Sequence, residues 1–397
     1  MNAYMPTYGL VLCLFMATTT WAQQGPSFNR LDRNKDGKIE KDELPNAAQR
    51  LFDQIDTNSD GSVSKQEFAA FESRRRALQA QGEGQTGDMV EGVKVTRNIP
   101  YADQNLPRQK LDIAIPEKSA TDKPLPVIVL IHGGGWQGGT HGPFLNRAIP
   151  LVRSGEFAAV SLGYRLTDQA SWPVQIHDCQ AGLRWVKANA EKYHWDPERI
   201  VVWGSSAGGH LVAMLGVSAD VAELDGKLGP HTDESLQVAG VIDFFGPANM
   251  LTMGDPPGFE RHFAADSPES KLLGGPVKEV PEVAKGASPQ TYVSQGDAPF
   301  LILHGTDDRT VPYQQSVDFH EALKKAGVDS TFVPVEGAGH GFAGQEVNQR
   351  VEAFLDKILL GKTVKVSSEP IKSAQSIQRR RPLRGQQRPD QEEGKRE

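Results

Sequence analysis

An apolar run of strand length, Ile200–Trp203, leads directly into Gly204-Ser205-Ser206-Ala207-Gly208, and a helical stretch follows to Val217. Few architectures accommodate this succession. The flanking glycines leave room for a sharp turn, and Ser206 is thrust out where the strand ends and the helix begins. Such a turn implies a sheet whose strands end at a common edge, and the chain supplies the other strands. Apolar runs lie at Lys110–Ile115, Pro126–Ile131, Ala158–Leu162, Val241–Phe245, Phe300–Leu303 and Thr331–Val335. Most show little alternation, as expected of strands buried on both faces. Helical patterns lie between them, at Gln175–Tyr193, Ser206–Val217, Tyr313–Ala326 and Val347–Leu360. The expected fold class is α/β, a mostly parallel sheet with helices on both faces. Chemistry in such sheets gathers at the carboxyl ends of the strands.

Three further motifs fall at those ends. His132-Gly133-Gly134-Gly135-Trp136 follows the strand at 126–131 and stands about 70 residues before the serine. Its glycines let backbone N–H groups approach a substrate oxygen without side chains in the way. Gly134 and Gly135 are the expected donors, with Gly133 an alternative. Ala207, at the helix start, offers a third N–H. Leu303-His304-Gly305-Thr306-Asp307-Asp308 places two adjacent aspartates after a strand, and Gly337-Ala338-Gly339-His340 places a histidine after another. Serine, aspartate, histidine is the chain order of an α/β-hydrolase triad. Ser206 would attack a carbonyl carbon, His340 would relay the proton, and an aspartate would orient the imidazole.

The motifs HGGGW, GSSAG, HGTDDRTVP and GAGHGF together resemble the carboxylesterases related to hormone-sensitive lipase. The resemblance is closest to the bacterial branch that includes feruloyl and acetyl-xylan esterases. It spans roughly residues 93–361 and implies an α/β-hydrolase fold and ester hydrolysis through an acyl-enzyme, with no cofactor. It selects Asp308 over Asp307, because the family's acid lies three residues before the Val-Pro pair, here Val311-Pro312. It also relates Asp178 to a family position of structural type. The substrate it implies is an acyl ester, with acetyl or feruloyl groups on carbohydrate foremost.

Ahead of this body lies a different pattern. Asp32, Asn34, Asp36, the Lys38 carbonyl, Glu40 and Glu43 occupy positions 1, 3, 5, 7, 9 and 12 of an EF-hand calcium loop, with Gly37 at the sharp turn. Asp56, Asn58, Asp60, Ser62, Ser64 and Glu67 repeat the set, with Gly61 at the turn. Ile39 and Val63 fall at position 8, where paired hands form a short β-bridge. The expectation is a small all-α EF-hand pair over 23–76 holding Ca2+. The loops begin only 24 residues apart and Pro45 interrupts the interval, so its helices must be short. Dockerin modules also set two calcium loops close together, but they use Asp at position 12, where this chain has Glu43 and Glu67.

Charge divides the chain in the same places. Residues 1–26 carry no charged side chain, and 27–76 hold ten acidic and ten basic groups. Residues 362–397 carry ten basic and five acidic groups, a net of +5. With a total of −7, residues 77–361 carry −7 − 5 = −12. Nucleic acid is not an expected partner of such a chain.

Tyr8–Ala17 is an apolar stretch of signal-peptide length, with Thr20 and Ala22 as small residues at a cleavage site, although no Lys or Arg precedes it. It is shorter than the roughly 20 apolar residues of a bilayer span. The expectation is a signal peptide over 1–22, a secreted or periplasmic protein, and no stable membrane insertion after its removal. Residues 77–92 read as a linker, and 362–397 as a disordered basic tail able to contact polyanions.

Between Gly246 and Ala298 a Pro/Gly/Met-rich insertion is a candidate cap, with Met250, Met253, Phe259 and Phe263 either lining a pocket or packing. His177, His194, His210, His262, His320 and Cys179 are expected to be structural. Two other readings stay open: a serine peptidase of the prolyl oligopeptidase type, and a calcium-dependent interaction protein with an inert hydrolase domain.

Overall fold

A computed structural model describes residues 28–41, 43, 52–58, 60–71, 86–103 and 106–373. The expected signal peptide, and the tail beyond 373, lie outside the described residues.

Two short antiparallel strands, β1 (Lys38–Ile39) and β2 (Val63–Ser64), join the two acidic loops through the pairs Ile39–Val63 and Lys38–Ser64. Ile39 and Val63 are each buried, and Leu31, Phe52, Ile55 and Phe68 pack around them as a small core. The bridge at position 8 and this cluster give the module a centre. It is far too small to be secure by burial alone.

The body is a ten-stranded sheet: β3 (Thr86–Val90), β4 (Val93–Pro100), β5 (Lys110–Pro116), β6 (Leu125–Ile131), β7 (Ala158–Leu162), β8 (Trp195–Ser205), β9 (Gly240–Phe244), β10 (Phe300–Gly305), β11 (Ser330–Glu336) and β12 (Ile371–Lys372). The spatial order is β12-β11-β10-β9-β8-β6-β7-β5-β4-β3. From β7 to β12 neighbours run parallel, and β5, β4 and β3 continue antiparallel at the other edge. Successive residues of one strand feed opposite cores. Val127, Val129 and Ile131 join one cluster, while Ile128 and Leu130 join the other. This is the period-two geometry of a strand with both faces covered. Truncating Leu130 to Ala would cost about 2–5 kcal/mol at such a site.

Four long helices cover the sheet: α1 (Val174–Ala188), α2 (Ala207–Val217), α3 (Tyr313–Lys325) and α4 (Gln345–Leu359). In α4, Val347, Val351, Phe354, Leu355 and Leu359 are buried, a single stripe at helical spacing. Every residue of α2 is buried, which explains why its sequence, AGGHLVAMLGV, is apolar all round.

Several boundaries differ from the sequence reading. The helix expected over 175–193 is broken at Asn189, and Ala190–Tyr193 forms a separate short turn. The helix expected from Ser206 begins at Ala207, because Ser206 has φ +58° and ψ −126°. The linker expected over 77–92 contains β3, which pairs with β4, so the sheet starts upstream of 93. Thr86-Gly-Asp-Met-Val90 gives a weak strand signal, since Gly and Asp are poor strand formers. The tail expected from 362 first crosses back to the sheet: Ile371 is buried and pairs with Val335.

Candidate active site

The turn after β8 is built by backbone crowding. A Cβ on Gly204 would lie 2.1 Å from the Gly208 carbonyl oxygen, and one on Gly208 would lie 2.1 Å from that of Ile131. Only glycine fits at either place, and between them Ser206 adopts its left-handed φ. Such a conformation costs about 1–3 kcal/mol in a non-glycine residue. It is held by the Ser206 N–H donating to the Phe244 carbonyl at 2.8 Å and by the helix that starts immediately after.

Ser206, His340 and Asp308 are brought into line from three strand ends. His340 Nε2 lies 2.9 Å from Ser206 Oγ, and His340 Nδ1 lies 2.7 Å from Asp308 Oδ2. Asp308 is buried, and its Oδ1 accepts the N–H groups of Thr310 at 2.7 Å and Val311 at 3.0 Å. Burial opposes its ionisation, but hydrogen bonds from His304 and His340 outweigh that and hold it well below the usual carboxylate range. Asp307 is exposed at the cleft, with its Oδ1 3.4 Å from the Thr306 hydroxyl.

The glycine loop after β6 is shaped with equal constraint. Gly134 has φ +122° and its carbonyl accepts the N–H groups of Gln137 and Gly138 at 3.1 Å. Gly134, Gly135 and Ala207 line the cleft beside Ser206. The Ala207 N–H has no intrahelical acceptor, because it opens α2.

Four side chains lock this loop. His132 stacks on Tyr164, whose hydroxyl donates to the His132 carbonyl at 2.9 Å. Trp136 Nε1–H donates to His210 Nδ1 at 3.2 Å, and His210 Nε2–H donates to the Ala287 carbonyl at 2.7 Å. Burial lowers His132 to about 3 and His210 to about 4, and a neutral His210 is what accepting the Trp136 N–H requires.

The cleft above Ser206 has a volume of about 550 Å³. Its outer wall comes from the insertion between β9 and β10, through Arg261, His262, Ser267, Pro268 and Glu269. Met250, Met253, Phe259 and Phe263 do not line it; Met250 and Met253 are fully buried. His262, expected to be structural, does line it. The other expectations of structural roles agree with the contacts. Cys179 is a buried free thiol, His320 Nδ1 lies 2.8 Å from Ser330 Oγ, and His194 Nε2 lies 3.0 Å from the Asp122 carbonyl. His177 packs against Gly226. Asp178 is buried and anchors Arg165 at 2.6 Å and Gln109 at 3.0 Å.

Residues 111–323 match the family model BD-FAE, more than half of the chain. The chain belongs to the BD-FAE family. A carbohydrate esterase from gut microbiota, solved in truncated form, is 30% identical, with a TM-score of 0.59 over 70% of this chain and 98% of that one. Esterase 2 of Thermogutta terrifontis is 29% identical, with a TM-score of 0.53 over 67% of this chain and 92% of that one. Among curated relatives, esterase LipC of Mycobacterium tuberculosis is 30% identical over 62% of this chain and 59% of its own length. Esterase LipQ of the same organism is 33% identical over 62% of this chain and 57% of its own length. The chain thus spans less than two thirds of these curated relatives. The BD-FAE match ends before His340, which rests on its Gly-rich sequence motif and on its contacts with Ser206 and Asp308.

A second candidate site lies ahead of the BD-FAE body. Residues 26–45 and 48–71 match an EF-hand family model. In the first loop, Glu43 Oε1 accepts the N–H of Arg33 at 2.8 Å and of Asn34 at 3.1 Å, and Oε2 accepts that of Glu40 at 2.9 Å. Asp32 Oδ2 accepts the Gly37 N–H at 3.0 Å, and Asp36 Oδ1 accepts that of Lys38 at 2.9 Å. The second loop repeats these bonds with Glu67, Asp56, Asn58, Asp60 and Ser62. The Ser64 N–H and hydroxyl, foremost among the donors, hold Glu67 down to about 2.

Among the described residues no group of three or more His, Cys, Asp and Glu side chains forms a metal cluster. Here the acids face the loops' own N–H groups, and Asn, Ser and main-chain oxygens make up the rest of the donor set. That all-oxygen set suits a hard cation, and Asp32 Oδ1 is buried with no hydrogen-bond partner. The residues therefore fit Ca2+.

Proposed function

We propose that the protein is a serine carboxylic-ester hydrolase. The observation that carries this reading is the continuous line Ser206 Oγ–His340–Asp308 at 2.9 and 2.7 Å, opening onto a cleft lined by Gly134, Gly135 and Ala207. Ser206 Oγ attacks the ester carbonyl as His340 Nε2 takes its proton. Asp308 holds the Nδ1–H tautomer and stabilises the imidazolium. The carbonyl oxygen becomes an oxyanion facing the three N–H groups, each worth about 10²–10³ in rate. His340 then protonates the departing alcohol, leaving an acyl-Ser206. Water, deprotonated by the same imidazole, releases the acid and restores the serine.

Within that reaction class the favoured substrates are acetyl or feruloyl esters of carbohydrate. Support comes from the carbohydrate esterase among the structural relatives and from the polar side chains of Arg261, His262, Ser267 and Glu269 in the cleft wall. The loops at 32–43 and 56–67 bind Ca2+ in this reading, where the ion supplies charge neutralisation and folding free energy to a module with little core. Export through a signal peptide over 1–22, and contact of the basic tail with polyanions, complete the proposal. An ester panel of p-nitrophenyl acetate and butyrate, methyl ferulate and acetylated xylan, run beside an aminoacyl-proline amide, tests it. Turnover of esters with acetylated xylan preferred is expected. Preference for the amide would assign the triad to a peptidase.

A further inference from the structure

His262 and Glu269 form a buried acid–base pair in the wall of the cleft, and neither belongs to the triad or to the oxyanion loop. They are 4% and 3% exposed, with His262 Nδ1 3.0 Å from Glu269 Oε1. That contact is one of charge and distance alone: both ring nitrogens of His262 and Glu269 Oε2 are buried with no hydrogen-bond partner. Buried polar groups left unmet are rare and costly, and charged side chains are seldom buried without full pairing.

The pair is also fixed in place. Ser267 caps the helix Pro268–Leu273 by accepting the Ser270 N–H at 3.0 Å. The Ser267 hydroxyl also approaches the His262 carbonyl at 2.9 Å, tying both residues to one frame. Phe259 stacks on the His262 ring. Pro268, beside Glu269, lies 3.5 Å from the position of a Cβ on Gly135, so the frame abuts the oxyanion loop.

We propose that His262 and Glu269 are a specificity subsite that receives neighbouring hydroxyls on the alcohol half of the ester. This rests on the ester-hydrolase reading and names the chemistry of its substrate. Glu269 Oε2 accepts from one O–H, and His262 Nε2 bonds the other. A diol supplies donors and acceptors for both atoms, whereas a hydrocarbon alcohol would leave both unmet. Sites built to bond a substrate hydroxyl discriminate strongly against analogues lacking it.

Glyceryl monoacetate and propyl acetate differ only by two hydroxyls and provide the test, with hydrolysis followed by pH-stat. The wild type should prefer glyceryl monoacetate in kcat/KM by about tenfold or more, the effect of one hydrogen bond to a charged group. Glu269→Leu and His262→Leu should collapse that preference toward unity while propyl acetate turnover holds. Glu269→Gln, matched in shape, guards against misfolding and should retain part of the preference. A wild type with no preference, or variants that lose both substrates in equal proportion, would overturn the subsite alone. Failure of the wild type to hydrolyse either ester would instead overturn the ester-hydrolase reading, and the subsite with it.

Discussion

His304 stands directly behind Asp308: its Nε2 lies 3.1 Å from the same Oδ2 that meets His340 Nδ1 at 2.7 Å. His304 is wholly buried, and its other nitrogen lies 2.7 Å from the Ser316 hydroxyl. The acid is thus held from both sides, by the histidine that faces the nucleophile and by one that belongs to its own strand. Replacing His304 by Gln should lower kcat by roughly tenfold with little change in KM, since Asp308 loses a fixed donor. A fall in thermal stability with kcat untouched would reduce His304 to packing.

The two adjacent aspartates should separate sharply. Asp308→Asn should lower kcat by about 10⁴, because the amide no longer holds the required imidazole tautomer. Asp307→Asn, at an exposed side chain, should stay within about twofold of wild type. Steady-state kinetics on p-nitrophenyl acetate decide this, and a comparable loss in both variants would break the assignment.

Asp243 is paired in register with Gly204 of the serine turn, and burial pushes its carboxyl up to about 7 against the opposing Gly246 N–H. The folded state holds this proton more tightly than the unfolded chain. Its contribution is therefore greatest at low pH and is lost as pH rises from the ordinary aspartate value to about 7, a change on the order of 4 kcal/mol. Asp243→Asn keeps an acceptor for Gly246 and removes the titration. The melting temperature of the variant relative to wild type should climb between pH 5 and 7 and then level off. A constant offset across that range would contradict the raised pKa.

The acidic loops predict a metal dependence separable from catalysis. Asp32→Ala together with Asp56→Ala removes the first ligand of each loop. Titration calorimetry should show calcium binding lost, and calcium should no longer protect residues 28–71 from proteolysis. An unchanged affinity would misassign both loops.

Much of this site was legible because glycine placement carries strong information. Gly204 and Gly208 are demanded by backbone atoms 2.1 Å from any Cβ, and such crowding permits no other residue. The central strands could be read because both faces are buried, leaving continuous apolar runs. The cap was harder. His262 and Glu269 are charged types in a segment of short turns, and burial there comes from tertiary contact, not from any period in the sequence. Apolar Met250 and Met253 were natural candidates for the pocket wall, yet they pack inward while polar residues face the cleft. β12 leaves no signal in the sequence, because two residues paired on the sheet edge carry no pattern of their own. Choosing Asp308 over its neighbour needed family spacing; the geometry then supplied a physical reason, with four donors converging on one buried carboxylate.

The central claim is that Ser206 is the nucleophile of an acyl-transfer site. Incubation with paraoxon, followed by peptide mapping by mass spectrometry, tests it most directly. The account predicts a single diethylphosphoryl group on Ser206, ester turnover lost in proportion to labelling, and no label in Ser206→Ala, which should otherwise fold normally. Labelling at another residue, or full turnover in Ser206→Ala, would contradict it.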